Sequence, residues 1–114
     1  MEKTVNRVEI TGTVGVDPRI TTFEEGRQVL KLVVATEEGF KDRNGEWKYE
    51  TTWHNIVAWN GKEMPDFADI RKGQRVAVVG KIKNKSFEGK DGQTKYYYDI
   101  MSSSLKLLAA EESD

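Results

Sequence analysis

The chain has no cysteine, which excludes disulfides, thiol nucleophiles and thiolate metal sites at once. It has a single histidine, His54. With no cysteine to partner it, an imidazole among Ile56 and Ala58 on a strand face is more often structural than catalytic or metal-bound. Serines cluster only at Ser102-Ser103-Ser104, without the strained turn that activates a nucleophile. Glu37-Glu38 and the pair Asp66 and Asp69 fall on solvated segments and read as surface charge rather than as an acid–base pair. No glycine-rich phosphate loop occurs. An enzyme is therefore not expected, and neither a metal nor a cofactor is implied. No apolar run approaches the ~20 residues that cross a bilayer as a helix. The charged start Met1-Glu2-Lys3 lacks a signal-type apolar stretch, so a cytoplasmic location is expected.

Excess charge of one sign is missing too: 18 Lys and Arg against 19 Asp and Glu leave a formal net charge of −1. The average conceals an asymmetry. Arg71, Lys72, Arg75, Lys81, Lys83, Lys85, Lys90 and Lys95 lie in one stretch that holds only Glu88 and Asp91 as acids. The acids gather at Glu24-Glu25, Glu37-Glu38, Glu63 to Asp69 and Glu111-Glu112-Ser113-Asp114. Local charge decides what such a surface attracts, because screening cuts exposed interactions beyond ~8–10 Å.

What is present is a strand-forming chain. At 114 residues, 37% hydrophobic and 32% charged, it suits one soluble domain, expected over residues 1–108, with a short acidic tail over 109–114. Thr4 to Val14 alternates with Val8, Ile10, Gly12 and Val14 on one side, and Gly12 marks a bend or a close approach. Gln28 to Thr36 is apolar on both faces and central. Glu37 to Tyr49 reads as a polar excursion around the turn Asp42-Arg43-Asn44-Gly45, with an unusual aromatic load in Phe40, Trp47 and Tyr49. Thr52 to Trp59 is a third strand, closed by Asn60-Gly61. Alternation puts Trp53, Asn55, Val57 and Trp59 on one face and His54, Ile56 and Ala58 on the other. Pro65, Phe67-Ala68, Ile70 and Lys72-Gly73 predict a short helix. Gln74 to Phe87 and Thr94 to Leu108 are the last two strands, joined at Lys90-Asp91-Gly92-Gln93. The expected class is all-β: a five-stranded oligonucleotide/oligosaccharide-binding (OB) barrel with one short helix between strands 3 and 4. Another small barrel or sandwich would share the strand spacing, but the helix position favours the OB order.

The fourth strand carries the chemistry. Lys81, Lys83, Lys85 and Phe87 recur at spacing two, so three ammonium groups and a ring share one face. Lysines also guard edge strands against aggregation, and that reading alone would be as good. Single-strand binders, however, need cations to follow phosphates and rings on which bases stack. Phe40, Trp53, Trp59 and Phe87 fall on separate strands and the excursion, as a ligand winding over a barrel requires. Basic residues near these rings, namely Arg7, Lys62, Arg71, Lys72, Lys81, Lys83 and Lys85, are the candidate phosphate contacts.

These residues add up to a family resemblance. Asn6-Arg7-Val8 with Ile10-x-Gly12, Asp17-Pro18, Leu32-Val33-Val34-Ala35-Thr36 and Thr52-Trp53-His54-x-Ile56-Val57 are the first matching pieces. Gly61-Lys62, Lys72-Gly73-x-x-Val76, Val79-Gly80-Lys81 and Lys90-Asp91-Gly92 complete them. Each is weak alone, and in this order and spacing they are specific. Over nearly its whole length the chain resembles the bacterial single-stranded DNA-binding protein family. The resemblance implies an OB barrel that assembles as a homotetramer, wraps single-stranded DNA without reading its sequence, and serves replication, recombination or repair near the nucleoid. It puts the stacking aromatics at Phe40, Trp53, Trp59 and Phe87, where Phe at 40 and 87 offers less area than the family's Trp. It puts subunit contacts at Asn6, Val8, Ile10 and His54. Family members usually carry a long tail with an acidic tip and terminal Phe that recruits replication and repair proteins. This sequence runs to Glu111-Glu112-Ser113-Asp114 without that linker or ring, so recruitment through such a tail stays open. The alternative reading is an OB-fold protein-interaction or primosome-type module with secondary nucleic-acid contact.

Overall fold

Six strands form one sheet in the computed structural model, which describes residues 2–109. They are β1 (Val8–Val14), β2 (Arg19–Thr22), β3 (Gln28–Lys41), β4 (Trp47–Trp59), β5 (Arg75–Glu88) and β6 (Thr94–Leu108). The sheet order is β1-β5-β6-β4-β3-β2, and a further β1–β3 pairing closes the five long strands into a barrel. β2 is a short addition along the edge of β3. All pairings are antiparallel except the β4–β6 contact, which joins Ile56 to Ile100 and Val57 to Met101. The acidic tail expected over 109–114 lies, from residue 110 on, outside the described residues.

Alternation along each strand builds the core. Ile10 and Val14 of β1, Leu30, Leu32 and Val34 of β3, Ile56 and Ala58 of β4, and Val76 and Val78 of β5 are all buried. Burial of each such side chain is worth about 1.5–3 kcal/mol for Val, Leu and Ile. Gly12 is the close approach its position predicted. A Cβ there would strike the carbonyl oxygen of Ala35 and come within 2.9 Å of Val34 Cγ1, just where Thr13 pairs with Ala35 to close the barrel.

Two expectations are corrected. The short helix predicted between Lys62 and Lys72 is a single 3-10 turn, Phe67–Asp69, flanked by extended Asp66 and Ile70. Three facts explain this. The Glu63 carbonyl accepts from the Leu105 amide of β6 at 3.1 Å, which ties the start of the segment to the sheet. The Asp66 carboxylate caps the turn by accepting from the Ala68 amide at 3.1 Å. Phe67 and Ile70 must both enter the core, and residues three apart meet that demand within one tight turn.

The predicted polar excursion over Glu37–Tyr49 is instead regular ribbon. β3 and β4 stay in register from Val29↔Trp59 out to Lys41↔Trp47, so both strands run past the barrel as an arm. The turn allows it: Asp42 Oδ1 accepts from the amides of Asn44 and Glu46, and Gly45 takes a φ of 78°. β5 and β6 form a second long ribbon, paired out to Glu88↔Thr94 with one irregularity at Val79/Gly80.

Candidate nucleic-acid interface

The outward face of β4 organises the surface. Trp53 is 59% exposed and Trp59 39%, while Ile56 and Ala58 between them point inward and are buried. The core takes the even-numbered side of this strand, so both indoles are left outside. Asn55 and Val57 lie between the tryptophans and line a groove of about 290 Å³ together with Lys31, Arg19, Tyr97 and Asp99.

Each tryptophan has its own support. The Trp53 ring lies against Gly15, the residue that follows β1. A Cβ at that position would collide with indole Cζ3 and stand 3.1 Å from Cε3. The Gly15 amide donates to the Val33 carbonyl at 2.8 Å, which fixes the backbone beside the ring. Lys72 and Arg75 line the groove on this side of Trp53. Trp59 is held differently. The Phe23 ring packs at 5.6 Å between centroids, tilted by 35°, and the Arg27 guanidinium carbon stands 4.7 Å from the indole centroid. Asn60 pins the loop bearing these two residues, donating to the Gly26 carbonyl and accepting from the Gln28 amide, both at 2.9 Å.

The second ribbon supplies the remaining predicted cations. Lys81, Lys83, Lys85 and Phe87 share the outward face of β5, opposite Met101, Asp99, Tyr97 and Lys95 of β6. Phe87 meets Tyr97 edge-on at 5.9 Å. Tyr97 therefore belongs to this face, and Tyr96 and Tyr98 to the other.

Some predicted site residues are not brought together. Phe40 pairs with Lys48 on the side of the arm that continues the core-facing Val34 and Ile56, opposite to Trp53. Arg7 is ion-paired with Glu9 at 2.8 Å and lines a separate hollow with Lys81. The Arg71 guanidinium donates to the Ala68 carbonyl at 3.2 Å, and Lys62 is exposed in the connection after β4. His54 is part-buried with Nε2 2.9 Å from Thr36 Oγ1. Asn6 extends β1 by exchanging two side-chain bonds with the backbone of Ile82, at 2.9 and 3.0 Å. Ile10 faces the barrel's own core, with Val8 packed against it.

Sequence reasoning missed Phe23 and Arg27, whose place beside Trp59 depends on a cross-strand register that composition does not encode. Trp47 and Tyr49, part of the aromatic load of the predicted excursion, continue the odd-numbered face of Trp53. Among the described residues no cluster of three or more His, Cys, Asp or Glu could hold a metal.

A closed five-stranded barrel with uncovered rings and lysines across its outer face defines an OB-type binding module. Residues 5–108 match the Single-strand binding protein family, and the chain belongs to that family. It is 33% identical over 116 residues to single-stranded DNA-binding protein 1 of Chlorobaculum tepidum, covering 99% of this chain and 70% of the relative. It is 32% identical to a single-stranded DNA-binding protein of Neisseria meningitidis serogroup A, over 96% of this chain but only 63% of that one. A Plasmodium falciparum SSB complex with ssDNA superposes with a TM-score of 0.81 at 32% identity, covering 96% of this chain and 99% of that one. A deletion mutant of the Thermus aquaticus single-stranded DNA-binding protein shares the fold, with a TM-score of 0.74 at 22% identity over 94% of this chain and 52% of that one.

Proposed function

We propose that this chain binds single-stranded DNA without sequence preference and without catalysis, protecting exposed strands during replication, recombination or repair. The observation that carries the reading is the odd-numbered face of β4, with two exposed tryptophans and no side chain of the core between them. Every base has a flat π-face, so such a surface accepts any sequence, and each stacked base is worth roughly 1–3 kcal/mol. Lys72 and Arg75 beside Trp53, Arg27 over Trp59, and Lys83 and Lys85 beside Phe87 supply cations along the way. Family membership and the likeness to an SSB–ssDNA complex support the same conclusion.

Assembly as a homotetramer belongs to this reading. β1 pairs along β5 from Val8 to Thr13 but meets β3 only through Thr13 and Val14, so its other backbone edge is open to a second copy. Sedimentation should then give four chains per particle. The binding reading is tested by titrating oligo-dT and following tryptophan emission. Quenching that saturates and weakens as salt rises is expected; equal affinity for duplex DNA would refute it.

A further inference from the structure

We propose that the stacking surface continues past Trp53 along the β3–β4 arm, with Tyr49 and Trp47 as additional platforms for the bases of single-stranded nucleic acid. The inference rests on the binding reading above and concerns where the strand runs.

Trp47, Tyr49, Thr51 and Trp53 are alternate residues of one β-strand and share a face. At ~3.3 Å per residue, Tyr49 lies about 13 Å from Trp53 along the strand, and Trp47 about 7 Å further. Both rings are largely uncovered, at 70% exposure for Tyr49 and 60% for Trp47. Across the ribbon, Tyr49 pairs with Gly39. A Cβ at residue 39 would stand 3.1 Å from Tyr49 Cε1, 3.4 Å from Cδ1 and 3.6 Å from Trp47 Cε3. Both aromatics therefore lie over bare backbone. A glycine neighbour across the backbone thus leaves room for these rings, as Gly15 does for Trp53. Lys41 pairs with Trp47 and holds its ammonium 5.6 Å from that ring, so a cation stands at the outer end of the track.

The occupant is argued from continuity. The track is the direct extension of the Trp53 face, with no turn or core residue between, and open rings with a terminal cation suit bases and phosphate. Phe40, on the other side of the arm, is not part of it.

Single-tryptophan variants separate the possibilities. One keeps only Trp47 (Trp53→Phe, Trp59→Phe) and one keeps only Trp53 (Trp47→Phe, Trp59→Phe). Saturating oligo-dT should quench the emission of both. Quenching at Trp53 alone overturns the extended track but leaves DNA binding intact; quenching at neither overturns the underlying reading. Before DNA is added, Trp47 should be open to acrylamide. Protection in the free protein would mean that a second copy covers the arm, and would overturn the proposal. Trp47→Ala with Tyr49→Ala should weaken oligo-dT binding by about 5- to 150-fold per stacked base lost. An unchanged affinity would overturn it.

Discussion

The Trp53 ring edge lies so close to Gly15 that a Cβ there would displace the ring. The benzo edge of the indole therefore abuts a backbone segment that is itself hydrogen-bonded to β3. Gly15→Ala should push the ring aside and lower the affinity for oligo-dT, by no more than the ~1–3 kcal/mol that one stacked base contributes. Thermal unfolding should move little, because Trp53 is outside the core. An affinity equal to that of the parent would show that the position of this ring is unimportant for binding.

Trp53→Ala and Phe67→Ala should separate binding from folding. The first removes an exposed ring and should cost roughly 1–3 kcal/mol of binding with the melting curve nearly unchanged. The second removes a ring that is 1% exposed and should destabilise the fold by about 3–5 kcal/mol. Calorimetry beside fluorescence titration decides; a Trp53 variant that unfolds would move that residue into the core.

Phe40→Ala should weaken binding less than Trp53→Ala does. The two side chains leave the β3–β4 ribbon on opposite faces, so one continuous track along Trp53 does not meet Phe40. Equal losses in a filter-binding assay would mean that the strand wraps around the arm.

Lys83→Ala and Lys85→Ala should act uniformly on all sequences. Each removes one cation from the face of β5 that carries Phe87. If each neutralises one phosphate, the salt dependence of log K should become shallower by about 0.7 per substitution for a single strand. A slope that stays unchanged for both would assign these lysines to guarding the edge of the ribbon.

The faces of β4 and the core stripe of β1 were legible because period-two alternation needs only the order of residues. Gly12 was legible for the same reason, as a glycine in the middle of an apolar stripe. The short helix was misread because Pro65 and Lys72-Gly73 are helix-boundary signals. What decides there is a hydrogen bond from Leu105 to Glu63, about forty residues away in sequence, which no local pattern reveals. The arm was misread because its polar residues face water on both sides once the strands leave the barrel. Period two persists there, but hydrophobicity no longer reports it. Phe23 and Arg27 reach Trp59 through the register of three strands, and that register was not readable.

The Asn6 amide meets Ile82 across 76 residues of chain, and this has a consequence for how the molecule comes into being. The β3–β4 and β5–β6 ribbons each close through a local turn and can form early. β1 has no such neighbour and must wait for β5. During synthesis the first strand emerges well before its partner exists, and the barrel stays open along that seam until most of the chain has been made. Folding should accordingly be limited by this one long closure, with the arms formed before the barrel that carries them.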